Sequence, residues 1–269
     1  MNMANRAWAA LLLLPLLLLA SPGARSADAE LQRTWDKAWV FAPATSSIGY
    51  KRLDTAGLAA YLSSLPSPPT VVVVYAHGCD GLSEISAATG RFLAQAGYLM
   101  VAPDGFARQD KPVSCKPISH QGGLHRAVLG WRQAEMQFAF DQVEQIPSLK
   151  GVPVILMGHS EGAITVATIA DVPAAGRVIE GWTCHAGWPE YRGLNAPPDQ
   201  PVLALSSEKD PWFRDPELAG DCGAFMQGHP AQRSVVYRAP SYLADKHWLS
   251  SDKDVQKIIL DFIRETTAR

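Results

Sequence analysis

The 269-residue sequence lacks an excess of charge of either sign, because 24 lysines and arginines face 26 aspartates and glutamates, for a net charge of -2. This balance excludes the strongly basic surface typical of nucleic-acid-binding proteins, so no nucleic-acid partner is expected. Runs of like charge, low-complexity tracts and internal repeats are also absent, which argues against a disordered tail. The length suits a single globular domain with a full hydrophobic core.

Long apolar runs are missing except at the N-terminus, where residues 7–20 form an apolar stretch after a basic start. Small residues follow, and they predict cleavage after Ser26 or Ala29. The run is short of the roughly 20 residues that a bilayer span needs, so a cleaved leader is favoured over an uncleaved anchor. We therefore expect a signal peptide at 1–26, one domain at 27–269, and an exported protein, periplasmic or secreted, without stable membrane insertion after cleavage.

The sequence has only four cysteines, and their spacing does not resemble a zinc site. An exported chain folds in an oxidising compartment, where an even number of cysteines indicates disulfides. Spacing alone leaves three pairings open. We propose Cys79–Cys115 and Cys184–Cys222, because each would join loops at the same edge of the predicted sheet. Four buried free thiols are the alternative.

Strand and helix patterns alternate along most of the chain, which predicts an α/β fold: a mostly parallel sheet with helices on both faces. Residues 30–49 show no clear pattern beyond a short edge strand at 38–41. A second edge strand at 50–53 and a helix at 55–65, capped by Thr55, follow. Further strands are predicted at 71–76, 98–102, 152–157, 177–183, 201–206 and 234–238, and further helices at 83–96, 124–145, 162–170 and from 251 onward.

Residues 158–162 read GHSEG and match the pattern G-x-S-x-G, directly between a predicted strand and a predicted helix. In that context the pattern indicates a tight turn that lifts the hydroxyl of Ser160 above the sheet edge as a nucleophile. A glycine-rich turn without chemistry is the alternative. His159 should point away from Ser160 and act in packing or hydrogen bonding. Glu161 should contribute its backbone N–H to an oxyanion hole.

The base and the acid of a serine hydrolase on such a sheet follow the nucleophile in the order acid, then histidine. His185, His229 and His247 lie after the serine. His247 is favoured because it falls between the last strand and the last helix. The acid should follow the strand at 201–206, where Asp210 is favoured over Glu208. Its role would be to fix the tautomer of the imidazole.

Residues 77–81 read HGCDG and follow the strand at 71–76. The loop after this strand supplies the second oxyanion donor in such hydrolases, as a backbone N–H. By position this donor is Cys79, acting through its backbone, and an ordinary turn is the alternative.

Together these segments resemble the dienelactone hydrolase-like branch of the α/β-hydrolases. The resemblance rests on HGCDG at 77–81, GY at 97–98, VAPD at 101–104, GHSEG at 158–162, Asp210-Pro211 and His247. It implies an α/β-hydrolase fold, a triad of Ser160, Asp210 and His247, and hydrolysis of an ester or lactone without metal or cofactor. The enzymes that give the family its name use a cysteine nucleophile and are not exported, so dienelactone itself is not the expected substrate.

The expected partner is a small-molecule ester, and the oligomeric state is left open. Fewer than twenty residues separate the strands at 177–183 and 201–206, which leaves no room for a large helical cap and favours short acyl groups. Four tryptophans near strand ends would form an apolar acyl pocket or simply pack: Trp182, Trp188, Trp212 and Trp248. Three basic residues would attract an anionic substrate or form a solvated loop face: Arg108, Lys111 and Lys116.

Three other functions are compatible with the same motifs. A serine peptidase would use the triad on amides, and a polyester-type esterase would need an open cleft. A binding protein on a hydrolase scaffold would need no catalysis, and the presence of all three triad residues disfavours it.

Overall fold

The computed structural model of the protein describes residues 22–268 apart from positions 47, 227 and 229. Eight strands form one sheet. In chain order they are β1 (Trp39–Pro43), β2 (Tyr50–Leu53), β3 (Val72–Ala76), β4 (Leu99–Ala102), β5 (Val154–His159), β6 (Gly176–Glu180), β7 (Val202–Ser207) and β8 (Gln232–Tyr237). The α-helices of the described residues are α1 (Pro22–Asp36), α2 (Thr55–Ser64), α3 (Glu84–Gln95), α4 (Ala127–Glu144), α5 (Glu161–Thr168) and α6 (Lys253–Thr267).

The strands lie in the order β2-β1-β4-β3-β5-β6-β7-β8. β1 is antiparallel to both β2 and β4, and every other pairing is parallel. This confirms the predicted, mostly parallel α/β sheet. Because the parallel strands all end at one edge, the loops after β3, β5, β6, β7 and β8 meet there. From β6 to β8 the connections described contain only short 3-10 helices, so this stretch has no helical cap.

The sheet separates two hydrophobic cores, as expected for parallel strands that are buried on both faces. β3 shows the alternation: Val72 and Val74 face the core shared with α1, α2, α4 and α5, whereas Val73 and Tyr75 face the core shared with α3 and α6. All five residues of β3 are buried. The loops at the carboxyl ends of the strands therefore extend from a sheet that is covered on both faces.

The N-terminal helix α1 was not predicted from the sequence. Trp35 is 8% exposed and joins the core beneath the sheet, which anchors the end of this helix. The helix also runs through Ser26 and Ala29, the two predicted cleavage points. Residues 1–21, which hold most of the predicted signal peptide, lie outside the described residues. No helix in the described part of the chain combines the length and apolarity needed to cross a membrane.

The start of α2 differs from the prediction by one residue. Asp54, not Thr55, is the cap, because its Oδ1 accepts a hydrogen bond from the backbone N–H of Gly57 at 2.9 Å. The hydroxyl of Thr55 instead donates to the carbonyl of Trp35 at 3.0 Å and ties α2 to the end of α1. Either side chain satisfies the capping pattern in sequence, and only the tertiary contact to Trp35 separates them.

Two helix glycines should respond oppositely to alanine. A Cβ on Gly90 of α3 would lie 2.3 Å from Cδ2 of Phe41, so Gly90→Ala overpacks the core and should cost about 1–3 kcal/mol of unfolding free energy. Gly130 of α4 has open space around its Cα, so Gly130→Ala should gain roughly 0.5–1 kcal/mol from helix propensity. Chemical denaturation measures both, and a stabilised Gly90→Ala variant would contradict the described packing of α3 on β1.

Candidate active site

Ser160 occupies a strained turn between β5 and α5. Its backbone angles are φ 59° and ψ −121°, a region that residues other than glycine rarely adopt. The backbone N–H of Ser160 donates to the carbonyl of Glu180 at 2.9 Å, which holds the turn against the end of β6. Such strain persists only where surrounding contacts enforce it, and it is typical of functional turns.

The two glycines of the turn are required by close packing. A Cβ on Gly158 would lie 2.1 Å from the carbonyl oxygen of Gly162. A Cβ on Gly162 would lie 2.0 Å from the carbonyl oxygen of Ala76, at the end of β3. Both distances are far below any non-bonded contact, so the turn closes onto its neighbouring strand only without side chains at these positions.

The structure joins two of the predicted triad residues directly. Nδ1 of His247 donates to Oδ2 of Asp210 at 2.6 Å, and Asp210 is 3% exposed. The other carboxylate oxygen of Asp210 accepts from the backbone N–H of Trp212 at 3.0 Å. Nε2 of His247 is buried and has no hydrogen-bond partner in the described part of the chain. The imidazole is thus oriented through Nδ1, with Nε2 left available as a proton acceptor.

The other candidates for base and acid lie elsewhere. Nδ1 of His185 bonds the carbonyl of Thr183 at 2.9 Å, and its ring packs against Phe225 at 5.0 Å between centroids. Glu208 is exposed. His229 lies outside the described residues. None of these contacts joins an acid to an imidazole.

His159 is buried beside His247, with ring centroids 4.9 Å apart, and its Nε2 lies 3.2 Å from the carbonyl oxygen of His247. Burial and the neighbouring His247 imidazole lower the pKa of His159 to about 3. His159 therefore remains neutral and is a very weak base. Its contacts are those of a packing and hydrogen-bonding residue that supports the His247 loop.

Glu180, at the end of β6, was missed in the sequence although it is the only acid in that strand. Its side chain is fully buried and accepts from the backbone N–H of Ser250 at 2.6 Å and from the Ser250 hydroxyl at 3.0 Å. Burial raises the pKa of Glu180, and the hydrogen bonds from Ser250 oppose that shift. Because its carbonyl also holds the N–H of Ser160, Glu180 fixes the serine turn and the segment after His247 against one another.

Two residues that line the cavity beside Ser160 have backbone N–H groups without a hydrogen-bond partner among the described residues. Cys79 and Glu161 line one cavity with Ser160, and a Cβ on Gly78 would lie 3.7 Å from Cβ of Ser160. Within the described part of the chain no hydrogen bond occupies the backbone N–H of Cys79 or of Glu161. Unused N–H groups beside a candidate nucleophile are the arrangement that an oxyanion hole needs.

A buried polar cluster, which was not predicted from the sequence, supports this loop. Nδ1 of His77 donates to the carbonyl of Gly78 at 2.7 Å, while its Nε2 accepts from the backbone N–H of Gly105 at 3.1 Å. Arg132 donates to the carbonyl of His77 at 3.1 Å and lies 3.6 Å from the carboxylate of Glu135. Burial and the Arg132 charge lower the pKa of His77 well below its usual value, so this imidazole is a neutral structural group.

Two disulfides tie the loops around the cavity. Cys79 is bonded to Cys115, with their Cα atoms 5.9 Å apart, and Cys184 is bonded to Cys222, with Cα atoms 4.9 Å apart. Each bond joins a loop at the carboxyl end of a strand to a later loop, which is the pairing proposed from the sequence. Bridges over loops of this length typically contribute about 2–4 kcal/mol to stability.

The cavity beside Ser160 has a volume of about 360 Å³ and mainly aromatic walls. Trp182 and Phe213 pack edge to face at 5.5 Å, and Trp188 and Tyr191 do so at 5.3 Å. Trp212 stacks on His247 at 5.3 Å, so His247 lies directly behind one residue of the cavity wall. Of the four tryptophans considered in the sequence, Trp248 does not line the cavity and donates instead to the hydroxyl of Ser250 at 3.1 Å.

The basic residues of the loop after β4 do not line this cavity. Arg108 is 9% exposed and forms an ion pair with Glu135 at 2.5 Å, and Lys111 donates to the carbonyl of Phe106. Lys116 is exposed. An attraction of anionic substrates by these three residues therefore has no support in the geometry. Among the described residues, no cluster of three or more histidine, cysteine, aspartate or glutamate side chains has the geometry of a metal site.

A comparison of sequences decides the family. The sequence profile described as "Dienelactone hydrolase family" matches residues 58–238, which is most of the chain. The chain belongs to the dienelactone hydrolase family. It is accordingly a carboxylic ester hydrolase, and the serine turn, the sheet and the loops described above are those of a dienelactone hydrolase-family protein. A search of curated proteins finds no match.

Solved structures share the fold of this dienelactone hydrolase-family chain at low sequence identity. Est1E from Butyrivibrio proteoclasticus, in a structure with ferulic acid bound, is 12% identical, with 87% of this chain and 96% of that chain covered and a TM-score of 0.54. XC6422 from Xanthomonas campestris, described as an α/β serine hydrolase without lid, is 11% identical, with 85% and 88% covered and a TM-score of 0.51. TT1662 from Thermus thermophilus is 16% identical, with 76% and 92% covered and a TM-score of 0.52.

Proposed function

We propose that the protein is a serine esterase in which Ser160 is the nucleophile, His247 the general base and Asp210 the orienting acid. The observation that carries the proposal is Nε2 of His247, which is buried and has no hydrogen-bond partner among the described residues. Asp210 orients this imidazole through Nδ1, and the ring stacks on Trp212, which lines the cavity together with Ser160. An imidazole held in this way is ready to accept the proton of a serine hydroxyl.

The reaction follows from these roles. As Oγ of Ser160 bonds to the ester carbonyl carbon, Nε2 of His247 takes the hydroxyl proton, and the carbonyl oxygen becomes an oxyanion. The free N–H groups of Cys79 and Glu161 stabilise that charge. Collapse of the intermediate expels the alcohol, which receives the proton from His247. Water then attacks the acyl-enzyme by the same sequence and releases the acid.

The preferred substrates are small esters or lactones with short acyl groups. The cavity is compact, and the two disulfides restrain the loops that form its rim, so these loops cannot swing aside for a long chain. The lidless description of XC6422 and the small aromatic acid bound to Est1E are consistent with compact substrates on this fold.

We expect kcat/KM for p-nitrophenyl esters to be highest at the shortest acyl chains and to fall steadily with acyl length. The physical reason is the fixed volume of the aromatic-walled cavity. Hydrolysis of a graded series, with the uncatalysed rate subtracted for each ester, measures the trend. A maximum at about ten carbons or more, or strong activation at a lipid–water interface, would contradict it.

We also propose that the protein is exported and that a leader is removed near residue 26. Two disulfides in one chain support an oxidising compartment. The intact mass of protein purified from the host envelope or medium should lack the N-terminal segment and should show four cysteines without free thiols. A full-length mass with reactive thiols would contradict the proposal.

The esterase assignment is tested by labelling with a fluorophosphonate probe. The probe phosphonylates an activated serine, so the wild-type protein should be labelled stoichiometrically and lose its ester hydrolysis in parallel. Peptide mapping should locate the label on Ser160. Hydrolysis that persists in fully labelled protein, or a label on another serine, would refute the assignment.

A further inference from the structure

The cavity beside Ser160 is lined by two carboxyl groups and by no lysine or arginine among the described residues. Glu161 lies at the turn, and its carboxyl accepts a hydrogen bond from the hydroxyl of Ser114. Glu217 lies at the exposed rim, where its Oε2 would be 2.3 Å from a Cβ built on Gly187. Within the described part of the chain, the Glu217 carboxylate has neither a hydrogen bond nor an ion pair. Its charge is therefore uncompensated by the protein.

Two tryptophans that line the same cavity lie against the loop after β4. A Cβ on Gly122 would lie 4.0 Å from Cζ3 of Trp212, and a Cβ on Gly123 would lie 3.6 Å from Cζ3 of Trp188. The two indoles thus flank one short turn of the loop after β4. Indole faces attract cations more strongly than the rings of tyrosine or phenylalanine do.

Both indoles already contact other side chains of the protein. Trp212 stacks on the ring of His247 and meets the ring of His120 edge to face, each at 5.3 Å between centroids. The Arg126 guanidinium lies 5.0 Å from the ring centroid of Trp188, but both carboxylate oxygens of Glu190 accept its hydrogen bonds. Neither of these two residues lines the cavity. The lining residues therefore supply no positive charge that would balance Glu217 or contact the indole surfaces that line the cavity.

We propose that the substrate is an ester that carries a positively charged nitrogen. The inference rests on the proposed esterase function and specifies its substrate class. The ammonium group sits against the indoles of Trp188 and Trp212 with Glu217 as its counter-ion, while the ester carbonyl reaches Ser160. A carboxylate-bearing ester would instead face two carboxyl groups and no cation, and the site rejects it.

The test compares a short-chain choline ester with its neutral isostere, in which a quaternary carbon replaces the ammonium nitrogen. The two esters match in shape, so the ratio of their kcat/KM values reports the charge alone. We expect the choline ester to be favoured about tenfold. Glu217→Gln and Trp188→Leu should each reduce this ratio about threefold. Glu144→Gln, an exposed change on α4 away from the cavity, is the charge-matched control and should keep the wild-type ratio.

A second measurement does not depend on turnover. Choline should slow fluorophosphonate labelling of Ser160 at lower concentration than the isosteric neutral alcohol does. Equal protection by the two alcohols, or a kcat/KM ratio near one for the two esters, overturns the proposed substrate class. If the protein still hydrolyses esters and is still labelled, the proposed esterase function stands. A protein that is neither labelled nor active on either ester overturns both.

Discussion

Ser160→Ala should reduce ester hydrolysis by a factor of roughly 10³–10⁶ and abolish fluorophosphonate labelling. The mutation removes only the hydroxyl, so the acyl-enzyme cannot form, whereas the oxyanion donors and the cavity stay in place. Alanine tolerates the strained backbone of the turn no worse than serine does, and the thermal midpoint should shift little. Steady-state kinetics and a thermal melt measure the two effects together.

A serine elsewhere in the chain provides the control for the loss of a hydroxyl. Ser63→Ala removes an exposed hydroxyl on α2 that bonds the carbonyl of Ala59 and does not line the cavity, and it should retain probe labelling. Hydrolysis or labelling of Ser160→Ala at the wild-type level would show that the nucleophile has been misassigned.

Asp210→Asn should lower kcat by roughly 10⁴ with a small change in KM. The amide of asparagine would donate to Nδ1 of His247, which places the ring proton on Nε2 and leaves no acceptor for the serine proton. The loss of kcat arises from the wrong tautomer of His247, so we expect it even though the packing around residue 210 is unchanged. Measurement of kcat and KM on a short-chain p-nitrophenyl ester separates this effect from weakened binding.

Glu208→Gln is the matched control, because it replaces an exposed acid only two positions away. It should keep kcat close to that of the wild type. If Glu208→Gln is the damaging change and Asp210→Asn is harmless, the acid has been placed two residues too late in the chain.

The centre of the sheet was predictable because β3, β4, β5 and β7 are largely apolar runs separated by strong helix and turn signals. Val72 to Ala76 has no polar residue, and the glycines around Ser160 mark a turn that few other structures need. The helix α1 was missed because it is mostly polar and follows the leader directly, so its one deeply packed aromatic, Trp35, stands alone in the sequence. Its stability comes from contacts with the distant helix α4, which local patterns do not encode.

Within the site, sequence order pointed to a serine, an acid and a histidine, because chain order along a parallel sheet limits where each can lie. The supporting side chains were not predictable in the same way. Glu180 acts through Ser250, and Arg132 through His77, across long stretches of chain. The charge of the cavity could not be predicted either, because it depends on which loop residues face inward. Arg108 and Glu217 both lie in loops after strands, yet the former is paired with Glu135 and only the latter lines the cavity.

The interlocked glycines of the serine turn also bear on how related sequences should be interpreted. Gly158 is demanded by its close approach to Gly162, and Gly162 by its contact with Ala76 of β3, and both contacts are independent of whether the turn catalyses a reaction. The side chain of Ser160, which lies between them, is not needed for this packing. A descendant that lost its enzymatic role would be expected to retain both glycines and to vary at position 160. The glycines therefore mark ancestry of the scaffold, whereas a nucleophilic side chain at position 160, serine here and cysteine in the enzymes that give the family its name, marks a working hydrolase.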